Sequence, residues 1–216
     1  MIQEIFPHKI YRKNINKSWQ EHSFIYNNIK KDMSFDNLYD EENQKGYISH
    51  TKNYWKKSPY YRKQWLNPIL KPIFNFIQEC LDEYVLQLDI DTEHQKIILT
   101  NAYLNYGKNE GTVFHDHGSS LIAGLYYFYL EGELPELVYL DSKVHGPANI
   151  LPWSNIIYKK ENTINYKPEI GDVILWPSYI THGTEQVRGY CNRVYMTFEY
   201  HIFSDKIPYF PSLGVD

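Results

Sequence analysis

Two cysteines in 216 residues, Cys80 and Cys191, are too few for a disulfide framework or a cysteine-rich zinc site. Long apolar runs are missing too. The longest, Leu121 to Leu130, spans ten residues, whereas a membrane-crossing helix needs about 20. No membrane span is expected. The opening MIQEIFPHKI lacks a basic start followed by an apolar stretch, so no secretory leader is expected and the cytoplasm is the expected compartment. Glycine and proline number only 11 each, which excludes a low-complexity chain. Neither charge dominates: 22 basic and 26 acidic residues leave a net charge of −4. With 43% apolar and 22% charged residues, the chain has the balance of a globular protein rather than a disordered one.

What the chain has in excess is aromatic side chains: 5 Trp, 21 Tyr and 10 Phe, or 17% of the residues. Such residues favour strands. Charge divides the chain, with 13 basic and 7 acidic groups in residues 1–72 and 9 basic and 19 acidic in residues 73–216. No linker or repeat separates these regions, so one domain is expected over 1–216. It comprises a mainly helical N-terminal elaboration (1–94), a β core (95–203) and a C-terminal tail (204–216).

Ile2 to Tyr11 reads as a short strand. Ser18 is placed to cap a helix over Trp19 to Lys31, with Trp19, Phe24, Ile25 and Ile29 as its apolar positions. Residues 66–88 read as a second helix, in which Leu70, Ile73, Phe74, Ile77, Cys80, Leu81 and Tyr84 keep a three/four spacing and Pro72 marks a first turn or a break. After residue 94 the period shortens. Strand-like segments recur at 96–106, 112–117, 121–130, 136–140, 155–158, 168–176 and 191–203, separated by turn residues such as Gly107, Gly118, Gly132 and Gly171-Asp172. The expected class is α+β: a double-stranded β-helix (jelly roll, cupin-like) with N-terminal helices packed outside.

Chemistry-bearing residues gather in two places. In a strand, His115 and His117 point to one face while Asp116 points away, so the two imidazoles can share a metal and Asp116 cannot join them without a bulge. His182 is a distant third candidate. Three protein ligands would leave positions open for substrate, cosubstrate or dioxygen. An H-x-H pair alone is also what two unrelated residues on an exposed strand would give. Eleven residues after His182 comes Arg193, which shares a strand face with Tyr195, Thr197 and Glu199, while Val194, Met196, Phe198 and Tyr200 share the other. An inward Arg is costly unless it meets an anion, and its fork suits a carboxylate. A structural salt bridge would satisfy it equally. Glu199 could meet a substrate amine or a neighbouring Lys. His50, His145 and His201 read as surface or satisfied histidines, and Asp116 as a partner for a nearby donor.

The order of Tyr106, His115-x-His117, Ser120, Gly124-Leu125-Tyr126-Tyr127, Pro168-x-x-Gly171-Asp172-Val173-x-Leu175-x-Pro177-Ser178, His182 and Arg193 resembles the 2-oxoglutarate and Fe(II)-dependent oxygenases. It is similar to the prolyl-hydroxylase-like branch and, more closely, to a bacterial and phage group with an H-x-H…H iron site. The resemblance runs over residues 100–203. It implies that His115, His117 and His182 hold Fe(II), that Arg193 pairs with the distal carboxylate of 2-oxoglutarate, and that Tyr106 and Tyr127 line the cosubstrate pocket. It further implies hydroxylation of a small-molecule or protein substrate, with 2-oxoglutarate decarboxylated to succinate through a ferryl intermediate.

Two residues depart from the family's pattern. Most members carry a carboxylate where His117 stands, so three neutral imidazoles would leave the iron its full charge. Many carry Ser where Tyr195 stands. A cupin-like three-His metalloenzyme without 2-oxoglutarate is the alternative, and it gives Arg193 no task. A non-catalytic jelly-roll module is a third reading. The basic and aromatic stretch Lys52 to Lys63 has the look of a single-stranded nucleic-acid surface, but a solvated turn accounts for it better.

Overall fold

The computed structural model describes residues 8–17, 19–31, 47–48, 60, 62–90, 92–107, 109, 111–141 and 163–204. In chain order the elements are β1 (Tyr11–Asn14), α1 (Trp19–Lys31), β2 (Tyr47–Ile48), α2 (Lys71–Leu88), β3 (Gln95–Gly107), β4 (Gly111–His115), β5 (Ile122–Gly132), β6 (Leu137–Leu140), β7 (Thr163–Tyr166), β8 (Asp172–Pro177), β9 (His182–Thr184) and β10 (Cys191–Ser204). The strands form two five-stranded sheets, ordered β1-β8-β5-β10-β3 and β2-β4-β9-β6-β7. All neighbours are antiparallel except β2 and β4. This is the expected α+β double-stranded β-helix.

Two apolar layers hold it. Between the sheets lie Ala123, Leu125, Tyr127, Leu137, Tyr139, Ile174, Trp176 and Ile180. On the outer face of the β1-β8-β5-β10-β3 sheet, the larger of the two because its strands are longer, α1 packs against β5 and α2 against β8. There the buried residues of α2 (Ile73, Ile77, Cys80, Leu81, Tyr84 and Val85) meet Leu104, Tyr126, Phe128, Val194, Met196, Phe198 and Tyr200. Full burial of such a side chain contributes roughly 1.5–3 kcal/mol. Pro72 sits in the first turn of α2, where its missing N–H costs no hydrogen bond.

Strand alternation explains how β10 serves both layers. Val194, Met196, Phe198 and Tyr200 join the helix-side core, while Arg193, Tyr195 and Thr197 face the space between the sheets. On β5, Gly124 stands opposite Phe198 and Leu175. A Cβ at Gly124 would lie 2.2 Å from Phe198 Cε2 and 2.8 Å from Leu175 Cδ2, so the phenyl ring occupies the space a side chain would need.

Several expectations change. The strand expected over 112–117 ends at His115. Phe24, expected on the apolar face of α1, is 68% exposed, and His22 is buried instead at 2%. β7 and β9 were not anticipated, because strands of four and three residues are too short to display a two-residue period. The Ser18 cap, the segment 155–158, most of Lys52 to Lys63, His50, His145 and the tail beyond residue 204 lie outside the described residues.

Two predictions follow from this packing. Gly124→Ala should lose about 1–3 kcal/mol in urea unfolding, since the new methyl must displace the Phe198 ring. An unchanged midpoint would mean the ring moves freely. His22 is held below the ordinary imidazole value of 6.5 by burial, with the Lys17 charge adding to the effect. Folding therefore favours the neutral ring, and its contribution is full above about pH 6.5 and erodes as pH falls. His22→Gln should make the loss of stability on acidification shallower, measured as urea midpoints across that range.

Candidate metal centre

β4 and β9 are antiparallel neighbours, and His115 stands directly opposite His182 in their register. Opposite residues share a face, and the two ring centroids are 4.3 Å apart. His117 comes two residues after β4 ends, so strand alternation does not place it. Backbone bonds do. Its N–H donates to the Ser178 carbonyl at 2.9 Å, and its carbonyl accepts from the Ser120 N–H at 2.9 Å. The Asp116 carboxylate accepts from the Gly118 N–H at 3.1 Å and helps shape the turn. The His117 ring lies 5.1 Å from both His115 and His182.

One ligand atom from each of the three histidines lies within 4.8 Å of the others. Their other nitrogens are engaged. His115 Nδ1 is 2.7 Å from the Val113 carbonyl oxygen, and His182 Nδ1 is 3.0 Å from that of Ile180. His117 Nδ1 is 2.7 Å from Glu199 Oε1. A carbonyl or carboxylate oxygen only accepts, so each Nδ1 carries the hydrogen, and in the neutral ring Nε2 then keeps its lone pair. The His117 Nε2 is buried and has no hydrogen-bond partner among the described residues. A buried acceptor in that state is costly unless something fills it. Three neutral imidazoles with ligand atoms this close together suit a borderline divalent cation such as Fe(II), so the residues fit a metal.

Glu199 comes from the cleft face of β10. Burial pushes its carboxyl pKa up, but hydrogen bonds from His117 and from Asn101 (Nδ2 to Oε2, 3.1 Å) outweigh burial and hold it below the ordinary carboxylate value. Its partner is thus His117 rather than a substrate amine or a lysine. Trp176 packs edge-on against His182 at 4.6 Å and shields it.

Arg193 lines the same cleft and is 3% exposed. Its Nη2 donates to the hydroxyls of Thr112 at 3.3 Å and Thr184 at 3.2 Å. Its guanidinium also lies 5.5 Å from the Tyr195 ring centroid. Across the ladder stands Gly107, where a Cβ would come within 2.8 Å of Arg193 Nε. The glycine gives the arginine room to lie flat on β3. Tyr127 also lines the cleft. Burial pushes its phenol well above the usual range, opposed by the Arg193 charge, so it remains a protonated donor.

Tyr106 requires a correction. It lies opposite Val194, packs with the helix-side core and is not among the residues lining the cleft. Alternation along β3 places Tyr103 and Asn105 at the cleft instead, with Asn105 Nδ2 donating to Thr197 Oγ1 at 2.9 Å. Sequence reasoning missed Tyr103, Asn105, Thr112 and Thr184. Counting in steps of two from Gly107 would have found the first two. His201 bonds Thr100 across the ladder, in keeping with a satisfied histidine.

Residues 103–199 match the family described as "Putative 2OG-Fe(II) oxygenase". Over this stretch, just under half of its length, the chain is similar to the 2-oxoglutarate and Fe(II)-dependent oxygenases, whose cofactors are Fe(II) and 2-oxoglutarate. Solved structures share the fold at low identity. A prolyl hydroxylase from Trichoplax adhaerens, solved with a hypoxia inducible factor peptide fragment, is 14% identical over 89% of this chain and 83% of its own, with a TM-score of 0.52. HygX from Streptomyces hygroscopicus, solved with nickel and 2-oxoglutarate, is 13% identical over 89% and 82%, with a TM-score of 0.53. EvdO2 from Micromonospora carbonacea var. aurantiaca is 11% identical over 94% and 90%, with a TM-score of 0.52. No curated protein matches the sequence. No helix among the described residues is long and apolar enough to cross a membrane.

The Gly107 contact can be tested directly. Gly107→Ala should push the Arg193 side chain out of place without touching the histidines. 2-Oxoglutarate affinity should fall while Fe(II) affinity stays at the wild-type value, both read by anaerobic titration. Equal loss of both would point to general disruption of β3.

Proposed function

We propose that this oxygenase hydroxylates a small-molecule or protein substrate, with iron held by the Nε2 atoms of His115, His117 and His182 and 2-oxoglutarate anchored by Arg193. The observation that carries this reading is a buried guanidinium in the same cleft as three imidazoles whose ligand atoms lie within 4.8 Å of one another. When bound, iron and 2-oxoglutarate supply the oxidising chemistry, in which dioxygen is reduced as 2-oxoglutarate is decarboxylated to succinate.

The chain's own residues bind and orient. Arg193 presents its fork to the distal carboxylate, steadied by Thr112 and Thr184. Tyr127 donates its phenol to the same carboxylate. Leu125 and Leu137 line the cleft and exclude water around that charge pair, which strengthens it. Tyr103, Asn105, Tyr195 and Thr197 form a polar wall for the substrate. The relatives solved with a peptide fragment and with hygromycin B make peptides and small polar molecules the first classes to screen. The shared core of helices and larger sheet supports a single domain.

The test is anaerobic titration with Fe(II) and 2-oxoglutarate, read by the visible charge-transfer band of the chelate. Hydrogen bonds to charged groups contribute roughly 1.5–3 kcal/mol each, so Arg193→Ala should weaken 2-oxoglutarate binding about tenfold or more. Arg193→Lys keeps the charge but loses the fork and should fall between. Fe(II) affinity without 2-oxoglutarate should barely change. Wild-type 2-oxoglutarate binding by Arg193→Ala would overturn the assignment and favour a three-His enzyme that does not use it.

A further inference from the structure

The three imidazoles are not held alike. His115 and His182 each donate Nδ1–H to a neutral backbone carbonyl two residues earlier in the chain, whereas His117 donates to a carboxylate. We infer that Glu199 is a positioning residue that supplies, through His117, the negative charge the three neutral ligands lack. The inference rests on the three-His iron reading above.

Geometry and charge support it. Glu199 is anchored at both oxygens, Oε1 by His117 at 2.7 Å and Oε2 by Asn101 at 3.1 Å. The pair is well shielded, with the His117 side chain 7% exposed and that of Glu199 18%. An anion so placed is screened little by solvent and acts at short range. It makes the His117 imidazole a stronger donor, because a hydrogen bond from Nδ1–H to a carboxylate pulls that proton away and raises the electron density at Nε2. Glu199 and Asn101 also stand opposite each other in the β10–β3 register, so the larger sheet sets the orientation of a ligand carried on the turn after β4. Their ladder shifts register directly after Glu199, between Glu199 and Tyr200. A ligand shell of three neutral imidazoles leaves the metal's double positive charge intact, and one unit of that charge is balanced one bond further out.

The inference separates charge from shape. Glu199→Gln keeps an oxygen that can accept from His117 but removes the charge, and Glu199→Asp keeps the charge on a shorter stem. The measurements are anaerobic Fe(II) affinity and the Fe(III)/Fe(II) midpoint potential, both without 2-oxoglutarate. Far-ultraviolet circular dichroism and urea midpoints verify that each variant is folded. Glu199→Gln should bind Fe(II) about tenfold or more weakly, in line with other partners of metal-bound histidines. Its midpoint potential should rise, because Fe(III) gains more than Fe(II) from a nearby anion. Glu199→Asp should keep a potential closer to wild type. Equal potentials in wild type and Glu199→Gln, or an equal rise in both variants, would overturn the role of charge and leave Glu199 a structural partner. Wild-type protein that fails to bind Fe(II), or His115→Ala that binds it as wild type does, would instead overturn the three-His reading, and this inference with it.

Discussion

Three Nδ1–H groups, each committed to an oxygen, are the constraint on which the site depends. An imidazole can bind a metal through either nitrogen, and one with both nitrogens free would rotate about its χ2 bond. Here each ring is pinned by the nitrogen that does not face the centre, to Val113, to Ile180 or to Glu199. The three pins come from different places: the strand carrying His115, the turn before His182, and β10 of the opposite sheet. The ligand set therefore exists only when the two sheets have closed on each other. The apolar layer between them, with Trp176 and Tyr139 against His182, fixes the separation at which Glu199 reaches His117.

β10 organises the remainder of the cleft. Its alternation puts Val194, Met196, Phe198 and Tyr200 into the core beneath the helices, so that burial immobilises the strand. Its other face then carries Arg193, Tyr195, Thr197 and Glu199 in fixed positions. The guanidinium lies where Gly107 on β3 has no side chain and where two threonines of the smaller sheet supply acceptors. A guanidinium in such a position has the planar fork that suits recognition of a carboxylate by both its oxygens. The histidines and the guanidinium share their supports: Thr112 lies on β4 with His115, Thr184 on β9 with His182, and Arg193 on β10 with Glu199.

Much of this was legible in the chain. The period-two pattern after residue 94 announced the β-helix, and the inward face of β10 could be read residue by residue. His115, His117, His182 and Arg193 stood out because each is expensive to bury without a task. Other features were not legible for physical reasons. His117 lies beyond the strand end, and its placement depends on a bond to Ser178, 61 residues away in sequence, that no local pattern encodes. Glu199 was seen to face inward, but its partner depends on how the sheets face each other. Tyr106 was assigned by resemblance to the cleft, although counting back from Gly107 puts it on the opposite face of β3. His22 lies three residues before Ile25 and seven before Ile29, so helical periodicity puts it on the buried face of α1, but a histidine gives no apolar signal there and Phe24 drew the assignment instead.

The central claim is that one metal ion is held by three imidazoles through Nε2. The most direct test is a crystal structure of the protein loaded with Fe(II) under anaerobic conditions, or with a redox-inert surrogate. The account predicts a single ion bound to Nε2 of His115, His117 and His182 at about 2.0–2.2 Å, with each Nδ1 still on its present oxygen. An ion ligated by Asp116 in place of His117, or bound to only two of the histidines, would contradict it.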